Sequence, residues 1–226
     1  MKKERREKLP SRRKRTLRRV LIAAAALLLV NRILLVGLLF PIQAIRRNEE
    51  RMGTGRTAVV HRERAPEIYQ SLLIYLTENE NVTMLSGTNL SLYGWVEAFG
   101  VPVDCSEEAP IHGGWWSLNR GEEGKNLFYV FGRIDDPDID FLQITVQHNG
   151  EAPKVEDVWQ PMGFEWGLER EDFMEKDGRS YFLLEKYPVD WNDYPYGVTV
   201  TALGSDKEGN ILARIELEQG ASSYFG

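Results

Sequence analysis

The sequence predicts a mainly β protein: an N-terminal transmembrane helix, one or two short helices, then a domain of antiparallel strands. Three observations carry this expectation. A basic segment runs straight into an apolar stretch long enough to cross a bilayer, and the charge balance reverses beyond it. From about residue 111 onward, apolar residues recur with a period of two between turn-forming residues.

The basic segment comes first. Residues 2–19 (KKERREKLPSRRKRTLRR) hold eleven Lys and Arg residues and form a predicted cytoplasmic tail over 1–19. They lead into Val20–Phe40, VLIAAAALLLVNRILLVGLLF, in which 18 of 21 residues are apolar. At about 1.5 Å per residue such a helix reaches roughly 31 Å, the thickness of a hydrocarbon core. A transmembrane helix is therefore expected over 20–42, followed by a juxtamembrane stalk over 43–65 that is rich in charge and carries Gly53 and Gly55. Asn31 and Arg32 interrupt the apolar run, and an Arg at mid-bilayer costs roughly 2.5–3.5 kcal/mol. The apolar residues before it offset that cost. Arg32 is thus a candidate for snorkelling to a headgroup or for pairing with an acidic residue of a partner helix inside the membrane. A signal peptide shares the basic-then-apolar order, and Ile42-Gln43-Ala44 resembles a cleavage site, but signal-peptide cores usually span about 7–15 residues. An uncleaved anchor is favoured. Eleven basic residues precede the span against six between Arg46 and Arg64, so the N-terminus is expected in the cytoplasm and the rest outside it, at the cell membrane.

The formal net charge of −6 conceals two opposite parts. Residues 1–64 carry 18 Lys and Arg against 5 Asp and Glu, whereas residues 65–226 carry 10 against 29. So acidic a domain lacks the clustered cations that phosphate binding needs, which excludes nucleic acid as a partner. It holds all six Trp residues and has the apolar material for a core. Cys105 is the only cysteine, so no intramolecular disulfide staples the domain.

A helical or irregular preface is expected over 66–110. In PEIYQSLLIYLTENE, Pro66 suits a first helical turn, and Ile68, Leu72, Leu73 and Leu76 recur at helical spacing. A second helix is expected over Asn89–Phe99, with Leu92, Trp95, Val96 and Phe99 on one face and Gly100 as its stop. The strand domain occupies 111–226. Its strands read as GWWSL, LFYVFGRI and DFLQITVQ, then Ser180–Lys186, Tyr196–Gly204 and Ile211–Glu218, the last two joined through SDKEGN as a hairpin. About seven short strands with turns between them fit an immunoglobulin-like or fibronectin-like β-sandwich, without the Cys…Trp…Cys pattern of antibody domains.

The runs FYVFGRIDDPDIDFLQITV, YFLL and GVTVTALGSDKEGNILARI, within residues 127–218, resemble a group of extracytoplasmic β-sandwich domains. These belong to single-pass membrane proteins and lipoproteins of Bacillus-type bacteria. The resemblance implies a compartment and a sandwich, and it transfers no catalytic residue.

Candidate chemistry is sparse. Asp136, Asp138 and Asp140 alternate and could offer hard oxygens to calcium in an inter-strand loop. An EF-hand is excluded, since Phe141 and Gln147 stand where Gly and a bidentate Glu belong. Cys105 and His112 are near in sequence, but nothing orients them as nucleophile and base. His61, His112 and His148 lack zinc-ligand spacing. Trp115 and Trp116 are adjacent and so point to opposite faces of a strand, and Trp191 heads a second aromatic cluster with Tyr194 and Tyr196. Exposed rings of this kind stack on sugars or anchor protein partners; the alternative is core packing. No cofactor is expected. The function expected is a non-catalytic, membrane-anchored interaction module of the cell envelope, serving assembly or sensing through a protein partner. The alternatives are a cell-wall or glycan binder using exposed aromatics, and an envelope hydrolase.

Overall fold

The computed structural model describes residues 12–34, 38–66, 71–92, 94–119, 125–149, 163–190 and 197–220. As expected, the chain is mainly β. Two helices, α1 (Arg12–Leu34) and α2 (Pro41–Met52), precede the strands.

The first four strands are β1 (Ala58–Arg64), β2 (Leu72–Glu78), β3 (Val82–Ser91) and β4 (Gly94–Asp104). They form an antiparallel sheet in sequential order. Next come β5 (Ile111–Asn119), β6 (Lys125–Ile134), β7 (Phe141–His148) and β8 (Gly163–Glu169). The last are β9 (Met174–Lys176), β10 (Arg179–Asp190), β11 (Val198–Ser205) and β12 (Ile211–Gln219). These eight make a second sheet in the order β8-β7-β11-β12-β5-β6-β10-β9. All pairs in it are antiparallel except β12 with β5, which run parallel through Glu218↔Gly114 and Gln219↔Trp115.

The second sheet curls onto itself. Phe128 on β6 and Phe164 on β8 are separated by four intervening strands, which would place them about 24 Å apart on a flat sheet at ~4.8 Å per strand. Their rings instead meet edge to face at 5.7 Å. The concave side holds one core, including Trp115, Phe128, Val130, Ile144, Val200 and Phe182. Alternate residues of β5, β6 and β10 face the other way: Trp116, Tyr129, Phe131 and Tyr181 meet Leu72, Ile74, Leu85, Phe99 and Val101 of the first sheet in a second core. Phe99 stacks on Trp116 with centroids 3.8 Å apart. Gly87 makes room for that ring, since a Cβ there would lie 2.2 Å from Phe99 Cε1. On the far side of the first sheet, Ile45 of α2 packs with Tyr75 and Met84 in a third, smaller core. The layers run helix, sheet, then curled sheet, with cores between them.

Of the about seven strands expected beyond residue 111, the six assigned to segments correspond to β5, β6, β7, β10, β11 and β12, while no segment was assigned to β8 or β9. Three helix or linker expectations are corrected. The 66–80 helix is β2 over its described part: LLIYL is buried on both faces, and a strand covered on both sides reads as a continuous apolar run that periodicity cannot separate from a helix. The Asn89–Phe99 helix is the end of β3, a turn and β4. The 43–65 stalk is α2 and β1, folded into the domain. Asn48, fully buried, donates to Phe99 O at 2.8 Å, and buried Glu49 accepts from Thr57 N at 3.0 Å and pairs with Arg46.

The expected span is also interrupted. Pro41 disfavours helix at the residue before it, and Phe40 is extended (φ −128, ψ 141), so a helix cannot run from Val20 through Ile42. Leu38 instead bridges to Trp95, with Leu38 N donating to Trp95 O at 2.8 Å and Trp95 N to Leu38 O at 2.7 Å. Among the described residues, no helix is long and apolar enough to cross a membrane.

Candidate functional site

Where the chain leaves α1 and enters the domain, the start of α2 and the ends of the first sheet enclose a cleft of about 440 Å³. Its wall includes Pro41, Arg62, Arg64, Leu73, Leu90 and Trp95. Arg62 and Arg64 lie two apart on β1, so they share a face, and both are exposed. Neither makes an ion pair among the described residues. Leu90 on the cleft wall is 54% exposed, and near lining residues in the chain Leu39 is 54% exposed, Phe40 60% and Leu92 99%. Leu39 and Phe40 fall within the expected span, Arg62 and Arg64 within the expected stalk, and Leu90 and Leu92 within the expected second helix, so no expectation from sequence brings them together.

The residues singled out from sequence fall elsewhere. Trp115 and Trp116 do point to opposite faces of β5, but each face is covered, leaving them 7% and 2% exposed. They are core residues, which removes them as a platform for sugar or protein. Trp191 lies outside the described residues. Arg32 falls within α1, and its side chain is likewise outside the described part. Asp136, Asp138 and Asp140 do not converge. Asp136 Oδ1 accepts from Asp138 N at 2.9 Å, closing a local turn, while Asp140 faces Arg170 Nη1 at 3.4 Å and Lys207 Nζ at 4.0 Å. Protein cations stand where the calcium reading placed a metal. Among the described residues, no group of three or more His, Cys, Asp or Glu side chains is placed to hold a metal ion.

Cys105 is buried, with its thiol 3.5 Å from Thr83 Oγ1, and burial pushes its pKa up. A nucleophilic cysteine needs the opposite shift. His112 sits 3.3 Å from Asp135 Oδ2, and no hydrogen bond or ion pair joins it to Cys105 among the described residues. The same Asp135 oxygen holds buried Arg133 at 2.5 Å. Arg133 also donates to Glu80 O at 3.1 Å and Cys105 O at 3.3 Å, which ties β6 to the first sheet. This is a structural clamp.

A second polar group went unforeseen, because its members are far apart in the chain. Glu63 of β1 and Glu185 of β10 are both partly buried between the sheets. Tyr129 Oη donates to Glu185 Oε2 at 2.8 Å, and His61 Nε2 lies 3.4 Å from Glu63 Oε2. Burial raises both carboxyl pKa values, and for Glu185 the charge of Glu63 adds to the effect. A carboxyl whose folded pKa is raised binds its proton more tightly when folded, so stability falls as pH climbs from the unfolded value through the folded one. The penalty is present at pH 7.5 and absent at pH 4. Glu63→Gln is therefore expected to raise the melting temperature at pH 7.5 by a few degrees at most and to leave it unchanged at pH 4, as thermal unfolding at both values would show. An equal rise at both pH values would refute this account.

Comparison with protein-family models, with curated proteins and with solved structures gives no match, so the molecule's own geometry carries what can be said of its role.

Proposed function

We propose that this chain is a membrane-anchored, non-catalytic interaction module: the basic N-terminus lies in the cytoplasm, and the β domain stands outside it and engages another protein in envelope assembly or sensing. One observation carries the reading. Val20, Leu21, Ile22 and Leu27–Val30 of α1 are each 47–73% exposed, on all sides of the helix. Beyond its basic first turns, the Val20–Val30 part of α1 is apolar all round, and such a stretch needs apolar surroundings, which in a globular domain means burial and otherwise means lipid. Ahead of the point where Leu38 joins the β domain, the sequence from Val20 is apolar apart from Asn31, Arg32 and Gly37, and the eleven basic residues before it match the cytoplasmic side.

The test is made on the full chain in bacterial membranes. It should resist alkaline carbonate extraction, and protease added to spheroplasts should digest the β domain while sparing an N-terminal tag. Photo-cross-linking should recover one protein in stoichiometric yield, and Arg32→Leu should lower that yield if the span itself makes a contact. Release of the chain by carbonate would end the anchor reading, and a protected β domain would reverse the orientation.

A further inference from the structure

We infer that the β3–β4 hairpin tip and the cleft beside it seat the domain on an anionic lipid surface. Leu90 and Leu92 enter the headgroup layer, and Arg62 and Arg64 face lipid phosphate. This rests on the anchor reading above and adds to it a second, separate contact with the bilayer.

Chain geometry places the tip near the membrane. Leu38 is clamped to Trp95 by two backbone hydrogen bonds, and Trp95 follows Gly94 at the hairpin turn. From Leu34, the last residue of α1, to Leu38 there are four Cα steps, which span no more than about 15 Å. Whatever surface α1 enters therefore lies within that reach of the tip, regardless of the angle the helix takes.

Chemistry selects lipid over a protein partner. Two separate segments, Leu39-Phe40 and the β3–β4 tip, deliver exposed apolar side chains to one place, and both adjoin the segment that continues from the apolar helix. Leu92 at 99% exposure has no neighbour to pack against, which suits insertion into a soft phase better than a fitted pocket. Trp95, half-buried at the same place, is the residue type that settles at headgroup depth. Arg62 and Arg64 then supply attraction to anionic headgroups. Their position is informative because the chain from residue 65 onward carries 29 acidic residues against 10 basic ones. An anionic bilayer repels most of that surface, so the basic end is the one that can approach.

The experiment uses the full chain, with Cys105→Ser, reconstituted in phosphatidylcholine–phosphatidylglycerol vesicles. An environment-sensitive fluorophore is placed at Leu92→Cys and, as a control, at Glu208→Cys in the exposed β11–β12 turn. Nitroxide-bearing lipid should quench the label at 92 at least twofold more than the label at 208, and iodide should quench it less. Arg62→Glu with Arg64→Glu should bring the label at 92 to the control level. If the chain resists carbonate but the label at 92 is as open to iodide as the control, docking is overturned while the anchor stands. If carbonate extracts the chain, the anchor reading fails and this inference falls with it. Shielding in native membranes but not in pure lipid vesicles would assign the tip to a protein and overturn the lipid assignment. Lipid quenching unchanged by the two Arg substitutions would overturn the phosphate contact.

Discussion

Replacing Trp116 by alanine is expected to destabilise the fold by roughly 3–5 kcal/mol, the usual cost of deleting a large buried aromatic. Trp116 is 2% exposed and stacks on Phe99 in the seam between the two sheets. The seam cannot readily close over the gap. Phe99 is seated against Gly87, and β5 is held by β6 on one side and by β12 on the other. Urea titration of the full chain in detergent should show the midpoint falling by about 1–2 M, given a slope of about 2–3 kcal/mol/M for a domain of this size. Trp115→Ala should also destabilise, but through the concave core of the second sheet, where Trp115 stacks on Phe128 at 5.4 Å. A Trp116 variant with an unchanged midpoint would mean that the two sheets do not share that core.

Arg133→Ala is expected to cost about 2–4 kcal/mol, since each buried acceptor left without its donor costs about 1–3 kcal/mol. Arg133 is 3% exposed and joins Asp135 to the carbonyls of Glu80 and Cys105, so its removal frees two acceptors at once, while Asp135, 28% exposed, keeps solvent and His112 beside it. Glu80 stands in the β2–β3 turn and Cys105 just beyond β4, so the clamp spans both sheets. Asp135→Asn alone should cost less, and the double variant should cost less than the two single effects combined, because the pair acts as one unit. Additive losses would show that Arg133 acts through the two carbonyls alone.

The legibility of the sequence followed the environment of each strand. β11 and β12 were readable because one face is buried and the other wet: Val198, Val200, Ala202 and Gly204 alternate with more exposed neighbours. β2 was not, because Leu73 and Tyr75 are covered by α2 while Leu72, Ile74 and Leu76 are covered by the second sheet. α2 looked like a linker because its buried face includes Asn48 and Glu49, whose hydrogen bonds depend on partners that no local pattern reveals. β8 and β9 escaped notice for a related reason: β9 has three residues, and β8 is an edge strand interrupted by Gly167. The break at Pro41 is legible in the sequence, because the residue before a proline is held out of the helical region, and it ends the expected span before Phe40. At the candidate site, Arg62 and Arg64 were read only as part of a basic stalk. Their pairing with the β3–β4 tip depends on a tertiary bridge at Leu38 that composition cannot supply.

The parallel pairing of β12 with β5 carries a kinetic consequence. The partners Gly114 and Glu218 are about a hundred residues apart in the chain, whereas β1 to β4 pair only with their sequence neighbours. Loop closure over that distance is slow, so the first sheet forms early and the curled sheet waits for its C-terminal strand to be made and delivered. Until then β5 presents a bare edge beside Trp115, open to pairing with other chains. Loss of the last dozen described residues would therefore leave this edge permanently exposed, and the expected product is an aggregating chain with a folded N-terminal sheet.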